Sequence, residues 1–138
     1  MKLIDTNIII YSIGKVHPLR EKCREVMEKA AKSEIAVNVD VEVLQELLYV
    51  YSSRGERRKG ILTVSDILVL FPSPVSITKE EIFRAKELMD KYDFLVPRDA
   101  IHAAAVLTNR FEGLISTDKV FEEIREIKRF EPEVNSFE

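Results

Sequence analysis

Short apolar segments alternate along the chain with longer segments in which apolar residues recur at helical spacing. Short segments bounded by polar, Gly or Pro residues are typical of β-strands that lie in a buried sheet. This pattern predicts strands at residues 2–4, 35–39, 75–77, 114–116 and 127–130, the third of them flanked by proline. The first predicted strand runs into an apolar stretch that is interrupted once, by Asp5, Thr6 and Asn7.

Between these strands the periodicity predicts helices. One helix has Leu19, Cys23, Val26, Met27 and Ala30 on a single face. The segment 41–51 is apolar on nearly every side, so its helix is either central or covered by another subunit. Gly55 is the kind of residue that follows a helix end. The remaining predicted helices cover residues 57–68, a segment that begins at the capping box Thr78–Glu81, and a segment that begins at Pro97 and runs to Leu107.

Alternation of short strands with helices predicts an α/β layer fold with a mainly parallel sheet. The 138 residues suffice for one domain with a substantial core, and no repeat, linker or low-complexity tract divides them. We therefore expect a single domain spanning residues 1–138.

Composition narrows the classes of function. The single cysteine, Cys23, excludes an internal disulfide and a cysteine-based metal site. No apolar run reaches membrane length, and Asp5 and Lys15 break the apolar stretch at the N-terminus, so we expect no membrane association and a cytoplasmic location. The net charge of −3 gives no general attraction to nucleic acid, so such a partner requires a local basic patch.

Four acidic residues occupy positions that the predicted fold brings together. Asp5 and Asp118 each follow a predicted strand, and the crevice beyond the carboxyl ends of parallel strands is where such folds bind ligands. Asp99 lies in the first turn of the alanine-rich helix, which begins near the same edge. Glu46 lies within an apolar helix, where a charge needs a partner. These positions predict that the four carboxylates converge on one crevice.

Each acid also has a purely local interpretation. Asp5 can form an Asx-turn before the next helix, and Asp118 can cap a short helix from Lys119 to Ile124. Asp99 can favour the positive end of its own helix. Glu46 can be solvated, and Glu42, one turn earlier on the same face, competes with it for an inward role. The case for a common site therefore depends on joint placement.

The acids and their neighbours form four short motifs: Asp5-Thr6-Asn7 after the first strand, Glu46 within LQELL, Asp99 within DAIHAA, and Ser116-Thr117-Asp118. Their order and spacing, from Asp5 to about Phe121, resemble those of PIN-domain nucleases, most closely the toxin half of VapBC toxin–antitoxin pairs. The resemblance implies a PIN-like three-layer α/β/α fold whose central, mainly parallel sheet has four to five strands.

The resemblance also implies the roles of these residues. Asp5, Glu46, Asp99 and Asp118 correspond to the catalytic, metal-binding acids of the family, and Thr6, Asn7 and Thr117 to supporting polar positions. The implied reaction is endonucleolytic cleavage of RNA that leaves a 3′-hydroxyl. The implied partners are a VapB-type antitoxin, which inserts a segment near the acidic crevice, and a second copy of the chain in a homodimer.

Clustered carboxylates need a cation. One pair of like charges 4 Å apart costs about 4 kcal/mol at an effective dielectric constant of 20. Mg²⁺ or Mn²⁺ suits oxygen ligands and activates bound water for in-line attack on a phosphodiester. We expect one or two ions, with Asp5 and Asp99 as primary ligands and with Asp118 and Glu46 at a second ion or its waters. His102 is expected to be a packed or hydrogen-bonded core residue rather than a ligand.

Contacts with RNA are expected from basic residues. Arg54, Arg57, Arg58 and Lys59 form a basic cluster, which a solvated loop and helix start would explain equally well. Further candidates for phosphate contacts are Lys15, His17, Arg20, Arg98 and Arg110.

Four other interpretations remain open at this point. Haloacid-dehalogenase-like phosphatases also place an Asp after the first strand, but they usually have a second Asp two positions later, where this chain has Asn7. A receiver domain needs paired acids there and a separate Lys, whereas Lys119 follows Asp118 directly. A PIN-domain nuclease outside a toxin system and a non-catalytic binding module on the same fold also fit the pattern.

Overall fold

The computed structural model describes residues 1–137 and contains one four-stranded sheet in that range. Its strands are β1 (Lys2–Ile4), β2 (Val37–Asn38), β3 (Leu114–Ile115) and β4 (Arg129–Phe130), in the order β2-β1-β3-β4. All three strand pairs are parallel, and the register pairs Leu3 with Leu114 and Ile115 with Phe130. The predicted parallel sheet is therefore confirmed; β1 has the predicted bounds, and β2, β3 and β4 are shorter than expected.

The prediction of a strand at residues 75–77 is wrong. Val75 forms only a single bridge with Asp40, through hydrogen bonds of its backbone to Val39 and Val41. Pro72 and Pro74 precede it, and a proline has no N–H group to donate to a neighbouring strand.

Within the described residues, 1–137, six α-helices connect and cover the strands. They are α1 (Thr6–Ile13), α2 (Arg20–Ala31), α3 (Val41–Ser53), α4 (Arg57–Leu70), α5 (Lys79–Lys91) and α6 (Pro97–Thr108), followed by short 3₁₀ helices at Lys119–Glu123 and Val134–Ser136.

The ends of the helices follow from local sequence signals. Gly55 has φ of 73° just after α3, a conformation that glycine adopts without strain. The Thr78–Glu81 capping box opens α5, with the Thr78 amide donating to Glu81 Oε1 at 2.8 Å. Pro97 occupies the first turn of α6. These predicted boundaries are confirmed.

Two hydrophobic cores lie on opposite faces of the sheet. Because side chains alternate along a strand, Ile4 and Ile115 join the core that contains residues of α1 to α4. Leu3 and Leu114 point the other way and pack with residues of α5 and α6. The molecule is therefore the expected three-layer α/β/α structure, in which the sheet fixes the site at its carboxyl edge.

None of the helices within residues 1–137 is long and apolar enough to cross a membrane.

Candidate functional site

The carboxyl edge of the sheet carries a polar residue after each of its three neighbouring strands. Asp5 and Ser116 directly follow β1 and β3, and Asp40 lies two positions after β2. All three side chains are buried, with exposed fractions of 5% or less. Since the strands are parallel, the polar groups lie side by side at one end of the sheet.

Asp5 is held by hydrogen bonds on both carboxylate oxygens. The Thr6 amide donates to Oδ1 at 2.7 Å, which makes Asp5 the N-cap of α1. On Oδ2, the Ser116 hydroxyl donates at 2.6 Å and the Asn7 amide at 3.2 Å. Asp5 therefore begins a helix, as its local interpretation predicted, while its second oxygen is fixed by Asn7 of α1 and by Ser116, which follows β3.

His102 of α6 joins two carboxylates from other elements. Its Nδ1 atom lies 2.7 Å from Asp40 Oδ2, and its Nε2 atom lies 2.7 Å from Glu46 Oε1. The Asp5 carboxylate is 3.6 Å from the same Nε2. The side chain of His102 is fully buried, which confirms the expectation of a hydrogen-bonded core residue.

Glu46 of α3 has the partners that an acid in an apolar helix requires. Besides His102, the guanidinium of Arg98 lies 3.8 Å from its second carboxylate oxygen. The Glu46 side chain is 12% exposed. Between the two candidates on this helix face, Glu46 rather than Glu42 forms the hydrogen bond to the buried histidine.

The pKa of Asp99 shows that the acids crowd one another. Loss of water raises the pKa of this half-buried carboxyl group to about 6, and repulsion from the Asp5 carboxylate is the next cause. Asp118 and Glu46 also repel it, while the nearby His102 acts in the opposite direction. The structure thus brings the four acids from distant segments into mutual electrostatic contact.

Asp118 combines a capping role with a place at the crevice. Its carboxylate accepts from the Val120 amide at 3.0 Å and so caps the 3₁₀ helix. Its own amide donates to the Ser116 hydroxyl, which in turn binds Asp5. The capping interpretation is therefore correct, and the cap is tied to the group that holds Asp5.

The three supporting residues differ in how they contribute. The Asn7 amide donates to both Asp5 and Ser116, and its carbonyl oxygen accepts from the Thr117 backbone at 3.3 Å. Thr6 contributes its backbone amide, while its hydroxyl is buried and has no hydrogen-bond partner within residues 1–137.

Burial also affects the pKa values of Asp5 and His102. It is the main cause that raises the pKa of Asp5. Burial alone would lower the pKa of the His102 imidazole, but its carboxylate partners Asp40 and Glu46 raise that pKa well above the ordinary value. A buried imidazole with a carboxylate at each nitrogen thus offsets part of the negative charge at the crevice.

Sequence reasoning did not include Asp40, and it named Ser116 only as part of a motif. A usable signal existed for both residues. Asp40 follows the second predicted strand, as Asp5 follows the first, and Ser116 ends the predicted strand at 114–116. Applying the strand-end rule to every predicted strand would have placed all three at one edge.

The donor atoms of the crevice fit a divalent cation. Carboxylate oxygens of Asp5 and Glu46 lie within 4.8 Å of one another, and they are the donors open to an ion there because both ring nitrogens of His102 are hydrogen-bonded. Burial is the main cause that raises the pKa of Asp99 to about 6, and repulsion from Asp5, Asp118 and Glu46 adds to it. A hard divalent ion with oxygen ligands relieves such repulsion.

The predicted basic residues separate into two places. Arg98 is at the crevice, beside Glu46. Arg54, Arg57, Arg58 and Lys59 are exposed around the turn between α3 and α4. Within that cluster, Arg54 and Lys59 line a groove that Arg57 and Arg58 do not line.

Comparisons with known proteins agree with this geometry. The sequence matches the PIN domain family over residues 2–127. Ribonuclease VapC13 of Mycobacterium tuberculosis is 29% identical over 130 residues, which cover 94% of this chain and 98% of that protein. Ribonuclease VapC23 of the same species is 30% identical over 107 residues, covering 75% and 82% respectively.

Solved structures share the fold. VapBC2 from Rickettsia felis, crystallised with a DNA fragment from its promoter, aligns with a TM-score of 0.74 at 19% identity and covers 94% of this chain and 97% of that one. FitAcB from Neisseria gonorrhoeae aligns with a TM-score of 0.75 at 14% identity and covers 96% of this chain and 98% of that one. Because the family match spans most of the sequence and VapC13 aligns almost end to end, the chain belongs to the PIN-domain family, with VapC ribonucleases among its relatives.

Proposed function

We propose that this chain is a metal-dependent endoribonuclease and the toxin of a VapBC-type toxin–antitoxin pair. The observation that carries the proposal is the group of carboxylates at the carboxyl edge of the sheet, in a chain of the PIN-domain family. The VapC ribonucleases among its relatives support RNA as the substrate.

The proposed metal ligands are Asp5, Asp99, Asp118 and Glu46, with Asp5 and Asp99 as the primary pair. The ion is Mg²⁺ or Mn²⁺, because the donors are mostly carboxylate oxygens. One or two such ions, when bound, would lower the pKa of a water molecule and neutralise charge on the leaving oxygen.

Residues of the chain prepare this site before any ion binds. Ser116 and Asn7 fix one oxygen of Asp5, and the Thr6 amide fixes the other. His102 holds one oxygen of Glu46 and leaves the second beside Arg98. Preorganised ligands lose little conformational entropy on binding, so these contacts favour both metal affinity and alignment of the substrate phosphate. Thr117 is proposed to support Asn7 through its backbone amide.

Arg98 is the proposed phosphate contact at the crevice itself. Its side chain is 42% exposed and lies beside Glu46, so it can reach a substrate without leaving the acidic edge. Arg54, Arg57, Arg58 and Lys59 are proposed as contacts for more distant phosphates.

An aspartyl-phosphate mechanism has no support in this geometry. Such enzymes need a second acid two positions after the nucleophile, and that position holds Asn7. The Asn7 side chain donates a hydrogen bond to Asp5, so it acts as a support for that carboxylate and not as an acid. An RNA-processing nuclease outside a toxin system would use the same site.

A VapB-type antitoxin and a second copy of this chain are the proposed protein partners. The structural similarity to VapBC2 supports the first. For the second, exposed Tyr49 on α3 and exposed Ile82 on α5 flank a surface that shares Pro97 and Ile101 of α6. Glu42, Gln45 and Arg98 also line this surface, and such a combination of apolar and polar side chains is typical of subunit contacts with a polar rim. The proposed location is the cytoplasm.

The direct test is cleavage of a labelled single-stranded RNA with Mg²⁺ or Mn²⁺, with and without EDTA. We expect Asp5→Asn to reduce the cleavage rate by about 100-fold or more, equivalent to ~2.7 kcal/mol of transition-state stabilisation. The matched control is Asp90→Asn, which makes the same chemical change at an exposed position on α5. Cleavage that survives EDTA, or an Asp5→Asn variant as active as the control, would contradict the proposal.

A further inference from the structure

A second concave surface lies beyond the acidic crevice, between the end of α1 and the turn from α3 to α4. It is a groove of about 450 Å³. Aromatic and basic side chains from these two segments line it: Tyr11, Lys15, His17, Tyr51, Arg54 and Lys59. We call it the basic–aromatic groove.

The aromatic rings of the groove lie close enough to act together. The rings of Tyr11 and His17 have centroids 4.7 Å apart and are tilted by 38°. The ring of Tyr51 has the Arg54 guanidinium at 5.8 Å and the Lys59 ammonium at 5.2 Å from its centroid. Because Tyr51 is buried, the half-buried Tyr11 and the exposed His17 are the rings on which a base of a single-stranded nucleic acid can stack.

The charge of the groove is opposite to that of the crevice. Lys15, Arg54 and Lys59 bring three positive charges, and all three residues are exposed. One acid, Glu56, also lines the groove, where it lies 3.7 Å from Lys59. A net positive charge therefore remains for an anionic ligand, in a protein whose overall charge is −3.

A buried hydroxyl group at the groove also lacks a partner. Tyr51 is 1% exposed, and its phenol oxygen forms no hydrogen bond with any of residues 1–137. An unsatisfied buried hydroxyl is costly and is often found where a ligand or water completes the site. Because Tyr51 is buried, a ligand at the groove surface reaches this hydroxyl only if neighbouring side chains move.

The groove and the crevice share two helices. Helix α1 begins at the crevice after Asp5 and ends at the groove beside Gly14. Helix α3 contributes Glu46 to the crevice and Tyr51 to the groove, which are about 7.5 Å apart along the helix axis and about 140° apart around it. An RNA strand cut at the crevice must therefore pass around the side of α3, along the eight residues of α1, to reach the groove with its neighbouring nucleotides.

We infer that the basic–aromatic groove binds the single-stranded RNA segment next to the scissile phosphate. Bases stack against the rings of Tyr11 and His17, while Lys15, Arg54 and Lys59 bind the phosphates. This inference rests on the proposed nuclease function and adds a substrate-binding surface outside the acidic site. It requires that the substrate be unpaired at the groove, because a base must be free to stack.

Binding can be measured without cleavage. Fluorescence anisotropy with a labelled single-stranded RNA in EDTA reports affinity while the metal-dependent reaction is stopped. We expect the double variant Arg54→Gln/Lys59→Gln to bind about 10-fold more weakly than the unaltered chain at low salt. The salt dependence of its log affinity should become shallower by about 0.7 for each lost phosphate contact.

The matched control is Lys32→Gln/Lys86→Gln, which removes the same charge from two exposed positions outside the groove. We expect this control to bind RNA within about two-fold of the unaltered chain. Equal losses in the two double variants would show that only net charge matters, which would overturn the inference.

His17→Ala tests stacking separately from charge. His17 is exposed, so the substitution leaves the core intact. We expect weaker binding of single-stranded RNA, with little change for a duplex of the same sequence. Equal effects on both RNAs, or no effect, would contradict the assignment of the groove to unpaired bases.

The outcomes separate the groove from the active site. A chain that cleaves no RNA contradicts the proposed function. A chain that cleaves RNA while Arg54→Gln/Lys59→Gln leaves KM and binding unchanged contradicts only the groove. If the variant instead loses affinity for an acidic peptide and keeps RNA binding, the groove is a protein-binding surface and the RNA assignment is wrong.

Discussion

His102 Nδ1 lies 2.7 Å from Asp40 Oδ2, and both side chains are at most 1% exposed. The contact joins α6 to the end of β2, across the carboxyl edge of the sheet. The other ring nitrogen holds Glu46 at 2.7 Å. Asp40 therefore fixes a histidine whose second nitrogen positions one of the proposed metal ligands, in the way that buried carboxylates orient histidines around metal sites.

Breaking this contact is expected to destabilise the protein strongly. His102→Ala leaves the Asp40 carboxylate buried without its partner, and removing one member of a buried ion pair typically costs ~3–5 kcal/mol. The combined variant Asp40→Asn/His102→Gln should lose less stability than His102→Ala, because the amides retain hydrogen bonds and no charge is buried. Urea unfolding of the single and double variants measures the difference; equal losses would contradict a coupled pair.

The pH dependence of this contribution has a defined sign. The pKa of His102 is raised well above its ordinary value in the folded protein. Its stabilising effect is therefore complete below the unfolded value of 6.5 and disappears as the pH rises through the higher folded value. From pH 6 upward, the free energy of unfolding should be larger for the unaltered chain than for His102→Gln, and this difference should decrease as the pH rises.

In the metal-free protein, Asp99→Asn should increase stability, whereas His102→Ala should decrease it. The pKa of Asp99 is raised from 3.8 to about 6 in the fold, so its ionisation favours unfolding as the pH rises from about 4 to 6. Above pH 6 the substitution is expected to stabilise the apoprotein by ~1–2 kcal/mol, reduced by partial exposure to water. At pH 4 the two proteins should unfold alike. An Asp99→Asn variant that is no more stable at pH 7.5 contradicts repulsion among the acids.

Metal binding should make the unaltered chain more stable than Asp99→Asn. Mg²⁺ or Mn²⁺ is expected to raise the melting temperature, because an ion that binds only the folded state stabilises it by about 2.7 kcal/mol at 100 times its Kd. Asp99→Asn should weaken this response, Asp90→Asn should retain it, and EDTA should abolish it. A melting temperature unchanged by millimolar metal would contradict a shared cation site.

Gly113 is expected to tolerate no side chain. A Cβ atom there would overlap the carbonyl oxygen of Lys128, and the Gly113 carbonyl already accepts from Leu3. Gly113→Ala should therefore push β4 away from β3 and cost ~1–3 kcal/mol or more in denaturant unfolding. Gly55→Asn is the control, because Asn tolerates φ of 73° and nothing lies within 4 Å of the new Cβ. Similar stability of the two variants would contradict this packing.

Homodimer formation can be tested at the apolar surface of α3 and α6. Tyr49 is 59% exposed on this surface, and Tyr49→Glu should convert a dimer to a monomer in light scattering. Val69→Glu is the control, since Val69 is 83% exposed on α4, away from that surface. A chain that is monomeric without substitution, or a dimer that persists in Tyr49→Glu, contradicts this interface.

Local signals in the sequence were enough for the elements and for much of the fold. Side-chain alternation, the Thr78–Glu81 capping box, Pro97 and Gly55 act through neighbouring residues, so they can be recognised without tertiary contacts. The motifs around Asp5 and Asp99 likewise indicated the family. Strand lengths were less predictable, because a β-bridge at Val75 depends on a partner strand 35 positions away and on two prolines.

Which polar groups share a hydrogen-bond partner depends on how the helices pack against the sheet. The sequence could not reveal that Asp40 and Glu46 meet at opposite nitrogens of His102, because these contacts span 62 and 56 positions and depend on how α6 packs against the sheet. The same is true of the basic–aromatic groove, where Lys15 and Arg54 meet through the packing of α1 on α3. The chain itself determined which chemical groups are present; the parallel order of its strands determined which of them can act on one ligand.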